Sequence, residues 1–120
     1  SVDKIRFYFF DYKNTGVDYV EELESLIRSL ALEKIDLCID NERSFVIDDA
    51  NVTRDVRDMY TNYVTPDYKI IFHVHVPNYE KAVQRNLKRD RTLNEDVILK
   101  HVRLFEVPEP KEYDEIKWIN

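Results

Sequence analysis

The apolar positions of this chain change period several times, and each change marks an element. Residues 5–10, Ile-Arg-Phe-Tyr-Phe-Phe, are a branched and aromatic run that ends at Asp11 and the polar turn Asn14-Thr15-Gly16, which predicts a buried strand. From Val17 or Asp18 onward, Val20, Leu23, Ile27 and Leu30 recur at three and four residues, one face of a helix with Glu21, Glu22, Glu24 and Arg28 elsewhere. The end of that helix is unmarked, because Ile35-Asp36-Leu37-Cys38-Ile39 alternates as a strand would. A second apolar strand is expected over 44–47, stopping at Asp48 and Asp49, and Thr53 is placed to cap a helix over 54–63 that ends before Pro66. Residues 68–76, rich in Ile, Val and aromatics, predict a strand halted by Pro77. A helix from Asn78 to about Lys88 follows, then a linker over 90–93, a helix capped by Asn94 and running to about Phe105, breakers at Pro108 and Pro110, and a short strand over 116–119.

Alternation of strands and helices in this order predicts an α/β fold, helices packed on a mostly parallel sheet. In open parallel sheets ligands sit at the carboxyl ends of strands, so Asp11, Asp48, Asp49 and the residues after Val76 are expected on one rim. No repeat, low-complexity tract or linker divides the sequence, and its 120 residues with 43% hydrophobic content are expected to form a single domain, 1–120.

Charge narrows the choice of partners. With 24 acidic against 18 basic residues the net charge is -6, which disfavours a broad duplex-binding face; a local basic patch remains in Lys81, Arg85, Lys88, Arg89 and Arg91. Cys38 is the single cysteine, so an internal disulfide and a thiolate-rich zinc site are excluded, and a reducing, cytoplasmic location fits. No apolar run reaches the roughly 20 residues needed to cross a bilayer, and the start lacks the layout of a signal peptide, so no membrane association is expected.

Asp48 and Asp49 end an apolar run, where carboxylates can hold a magnesium-bound water or orient a reacting hydroxyl beside a phosphate. Turn and capping chemistry is the structural alternative. Asn51, two residues after Asp49, makes the pattern less generic. Arg85 and Arg89 share a helix face and could grip an anion with planar forked donors, or make minor surface ion pairs. Arg91 extends the basic stretch with no apolar residue between Lys88 and Thr92, as in a basic flap over a phosphate. His73 and His75 alternate on one strand face but lack a third ligand at recognisable spacing, so core or edge histidines are expected rather than a metal site. A nucleophile is not expected at Cys38, which lies in an apolar run, and no Gly-x-Ser-x-Gly turn is present. Trp118 and the tyrosines could stack on a nucleobase, but packing explains most of them.

Three segments together carry a resemblance. Phe45-Val46-Ile47-Asp48-Asp49-Ala50-Asn51-Val52-Thr53-Arg54, Arg85-Asn86-Leu87-Lys88-Arg89, and Leu104-Phe105-Glu106-Val107-Pro108-Glu109-Pro110 with Glu112-Tyr113-Asp114 resemble the latter two thirds of P-loop kinases of the polynucleotide 5′-hydroxyl kinase type. The resemblance spans about 45–119; residues 5–30 agree only in element order. It implies a P-loop NTPase-like fold, ATP and Mg2+ as cofactors, a nucleotide and a nucleic-acid 5′ end as partners, Asp49 and Asn51 in the acceptor or magnesium region with Asp48 and Arg54 beside them, and Arg89, Arg85 and Arg91 on nucleotide phosphates. It also points to Asp11 as the acid that activates the acceptor hydroxyl, on element position alone. Ala50 stands where the family usually has Thr.

The chain departs from that family in one large respect. A phosphate-cradling loop needs glycines, and Gly16 is the only glycine, with no following Lys-Ser or Lys-Thr. The expected function is therefore ATP-dependent phosphoryl transfer to a hydroxyl acceptor as part of a larger or complemented protein, with this chain alone inactive. The alternatives are a small-molecule kinase of the same superfamily and a non-catalytic, degenerate-kinase binding module. The missing strand-loop-helix unit is expected upstream, on a partner, or lost, and an open sheet edge left by it would invite a homodimer or a complementing chain.

Overall fold

The structure, a computed structural model, describes residues Val2, Lys4, Ile5, 21–89 and 92–120. The chain divides into two compact units, Ser1–Asp49 and Ala50–Asn120.

In the first unit, α1 spans Glu21–Asp40. Ile27, Ala31 and Ile35 fall at successive intervals of four and form its buried stripe, and Ile27 and Ala31 pack with Val2, Ile5, Leu23 and Leu30. That stripe decides the ambiguity over 35–39: Ile35 continues the helical face, so the segment that also alternates as a strand is the last part of α1. Past the helix, Asn41 Nδ2 donates to Leu37 O at 2.7 Å and Glu42 takes a left-handed φ of 53°, which turns the chain out. Two expectations are corrected. Ile5 is helical where a strand was expected to begin, the remainder of that run lying outside the described residues. Residues 44–47 belong to no strand, with Val46 86% exposed; apolar sequence alone does not supply a ladder.

The second unit is α/β. Its α2 is Arg54–Thr61, β1 is Ile71–His75, α3 is Tyr79–Leu87, α4 is Glu95–Leu104, a short 3-10 turn covers Pro110–Glu112, and β2 is Glu115–Ile119. The two expected caps are present, and Asn78 supplies a third; all satisfy orphan helix donors: Thr53 Oγ1 accepts from Val56 N at 3.4 Å, Asn94 Oδ1 from Asp96 N at 2.9 Å, and Asn78 Oδ1 from Lys81 N at 3.0 Å. β1 and β2 pair in parallel from Ile71↔Glu115 to His75↔Ile119, and α3 and α4 lie in the crossover between them. Asp114 begins the ladder by accepting from Ile70 N at 2.7 Å through Oδ2, and Val76 N donates to Ile119 O at 3.0 Å at the other end. Tyr60, Val74 and Ile98 are the buried hydrophobic residues of this unit, and the Phe72 and Tyr113 rings meet at 5.5 Å.

Candidate functional site

The turn into α2 is fastened to the segment that follows α4. Val52 O accepts from Glu106 N at 2.8 Å, and Arg54 N donates to Glu106 Oε2 at 3.4 Å. Arg57, 5% exposed, lies beneath this turn with its donors divided between two targets. Its Nε donates to Glu112 Oε1 at 2.8 Å and one terminal nitrogen to Oε2 at 3.4 Å; the other donates to Asn51 O and Val52 O, each at 3.1 Å. The planar guanidinium suits this role because its five donors point in fixed directions.

Glu112 is equally committed. Besides Arg57 it accepts from Glu109 N at 2.6 Å, and Arg54 Nε lies 3.8 Å from its Oε2. Burial pushes the Glu112 carboxyl up, but the hydrogen bonds from Arg57 and the Glu109 amide, with the charges of Arg57 and Arg54, outweigh it and hold the group below its ordinary value. Arg54 pairs with Glu109; that hydrogen bond raises the guanidinium and lowers the Glu109 carboxyl. The sequence reading put Arg54 at the acceptor region, and its side chain is engaged by Glu109.

Asn51 is the exceptional residue of the turn. Its φ of 49° is left-handed, a conformation that costs most residues more than Asn. Its Oδ1 is buried and accepts no hydrogen bond among the described residues. A buried acceptor without a partner is uncommon in a folded protein, and this one has lone pairs with which to receive a donor or a cation.

The basic segment is built differently. Asn86, 5% exposed, closes a two-bond ring with Leu93: Nδ2 donates to Leu93 O and Leu93 N donates to Oδ1, both at 2.8 Å. This ties Leu93, just ahead of α4, to α3, while Arg85, Lys88 and Arg89 are exposed. Tyr79 also ties the two helices, its hydroxyl donating to Glu95 Oε2 at 3.3 Å, and burial followed by the Glu95 charge raises that phenol.

Of the residues singled out in sequence, Asp11 and Arg91 lie outside the described residues. Asp48 is exposed and Asp49 half-buried, both in the first unit, whereas Asn51, Arg54, Arg85 and Arg89 belong to the second. Sequence reasoning missed Arg57 and gave Asn86 and Glu112 no role of their own. Arg57 carried no local signal, since Arg54-Asp55-Val56-Arg57-Asp58 reads as a charged helix face. The described residues contain no cluster of three or more His, Cys, Asp or Glu able to hold a metal ion, and His73 and His75 are exposed on β1. Among them, too, no helix is long and apolar enough to cross a membrane.

Comparison with protein-family models, with curated proteins and with solved structures finds no match.

Proposed function

We propose that this chain carries the core and lid portion of an ATP-dependent kinase acting on a hydroxyl acceptor, with a nucleic-acid 5′ end as first choice. The observation that carries the reading is Asn51: a left-handed residue with a buried acceptor lacking a partner among the described residues, two positions after Asp49 in the motif of the resemblance. Asn51 in the second unit offers a hard oxygen donor, as do Asp48 and Asp49 in the first, and such donors suit Mg2+ and an acceptor hydroxyl. Arg85 and Arg89, with Arg91 beyond them, offer forked donors to nucleotide phosphates, and Asp11 is the candidate base. When bound, magnesium-ATP supplies the phosphoryl group and neutralises its charge. The chain's own residues orient the hydroxyl and hold the phosphates. With a single glycine the chain lacks the backbone cradle that stabilises the transferring group, so turnover belongs to a complete or complemented protein. That same deficit favours a second reading, a non-catalytic module that keeps phosphate contact without transfer.

Magnesium-ATP titrated into the chain, followed by calorimetry, is expected to show weak binding that Arg89→Ala abolishes, with no label transferred from ATP to a 5′-hydroxyl oligonucleotide. Binding unchanged in both Arg89→Ala and Arg85→Ala would overturn the phosphate site. In a complemented, active protein, transfer only to small hydroxyl compounds would overturn the nucleic-acid acceptor, and no transfer to any hydroxyl would leave the binding module.

A further inference from the structure

The strongest unassigned feature is the division of Arg57 between a carboxylate and two consecutive carbonyls. A buried arginine needs a counter-ion, and Glu112 supplies it through Nε and one terminal nitrogen. The remaining terminal nitrogen is spent on Asn51 O and Val52 O, the carbonyls of the two consecutive peptide groups that follow the left-handed residue. Val52 O in turn also receives Glu106 N at 2.8 Å, so the turn is held from two directions. Such an arrangement costs a buried charge pair, which an apolar pair could replace without loss of stability. What an apolar pair cannot replace is the directed grip on the two carbonyls.

We propose that Arg57 is a positioning residue: anchored by Glu112, it sets the backbone of Asn51 and Val52 and thereby the direction in which Asn51 presents its side chain to an acceptor or cation. The ligand half of this inference rests on the kinase reading of Asn51; the backbone half does not. The mechanism needs no movement of Arg57 and no contact between it and substrate. Its effect passes through hydrogen bonds to the two carbonyls that follow the functional side chain, one of them Asn51's own, which is how supporting groups usually hold a reactive one in register.

Amide hydrogen exchange separates positioning from general stability. The Glu106 amide reports on Val52 O, and the Val76 amide, bonded to Ile119 O at 3.0 Å, reports on the sheet of the same unit. Arg57→Lys keeps the charge beside Glu112 but loses the fork. Glu106 exchange is expected to rise roughly tenfold in Arg57→Lys with Val76 unchanged. The exchanged pair Arg57→Glu/Glu112→Arg, which restores opposite charges but leaves no donor at position 57 for the two carbonyls, is the second variant and is expected to give the same contrast if the lysine variant does not fold. Equal acceleration at both amides, or none at either, would overturn the proposal. In wild-type protein, magnesium-ATP is expected to shift the side-chain amide signals of Asn51, and in Arg57→Lys that shift is expected to shrink while the Arg89 response persists. A wild-type Asn51 that ignores magnesium-ATP would defeat the kinase reading and leave the exchange contrast alone to decide whether Arg57 positions the turn.

Discussion

The second unit contains two arginine pairs at helical spacing, and they meet opposite fates. Arg54 and Arg57 open α2 and face carboxylates of the segment after α4, so Arg57 is buried and Arg54 is bound to Glu109. Arg85 lies in the last turn of α3, which ends at Leu87, and Arg89 falls two residues past that end; there it is the neutral Asn86 that turns inward while the arginines are exposed. In the first pair carboxylates hold both guanidiniums and one is buried; both arginines of the second lie on the surface. The difference teaches that an arginine pair is no evidence of an anion site until its local carboxylates are known.

The largest test of that contrast removes Glu112. Glu112→Ala leaves Arg57 buried without its counter-ion and is expected to cost about 3–5 kcal/mol, read as a lowered denaturation midpoint. A midpoint within error of wild type would place Arg57 among the displayed arginines. Acid probes the same pair. The Glu112 carboxyl is held below its ordinary value in the folded chain, so its contribution is present above the unfolded value, about pH 4.3, and is lost as pH falls through the folded one. Unfolding midpoints measured down a pH series are expected to decline more steeply below about pH 5 in wild type than in Glu112→Gln.

Next in size is the inward residue of the other pair. Asn86→Ala removes both bonds to Leu93 and is expected to cost about 1–3 kcal/mol, concentrated in the stretch between α3 and α4. Faster exchange of the Leu93 amide with little change at Val76 would sharpen the comparison, since it would show the displayed arginines to be carried on a locally fixed turn. A Leu93 amide that exchanges as in wild type would break it.

What could be read from sequence follows the range of the interactions involved. Thr53, Asn78 and Asn94 each cap a helix within three residues of themselves; Thr53 and Asn94 were legible as caps, and Asn78 as the start of its helix. A parallel sheet was legible as well, because strand-helix-helix-strand order favours a crossover, though which strands pair was not. The limit of α1 was not, because Ile35-Asp36-Leu37-Cys38-Ile39 satisfies both periods and only burial beside Ile27 and Ala31 chooses between them. Residues 44–47 failed as a strand for a related reason: apolar content is local, but a ladder is not. At the candidate site the motif positions could be named, yet the burial of Arg57 depends on Glu112, 55 residues away, and no pattern within α2 reports it. The left-handed turn at Asn51 was equally hidden, because Asn adopts that conformation without announcing it in the flanking residues.

The smallest effect on stability is also the most discriminating one for function. Arg89→Ala alters an exposed side chain and is expected to change stability by less than about 0.5 kcal/mol. If that arginine is displayed for a ligand, the variant should nevertheless lose magnesium-ATP binding while keeping a wild-type unfolding curve. Arg54→Ala should do the reverse: it frees Glu109, whose carboxyl then returns toward its ordinary value, and it leaves binding intact. Carboxyl titration by NMR and calorimetry on the two variants read both sides at once. Loss of binding in Arg54→Ala with none in Arg89→Ala would invert the assignment, making the arginine held by a carboxylate the functional one and the exposed helix end an ordinary charged surface.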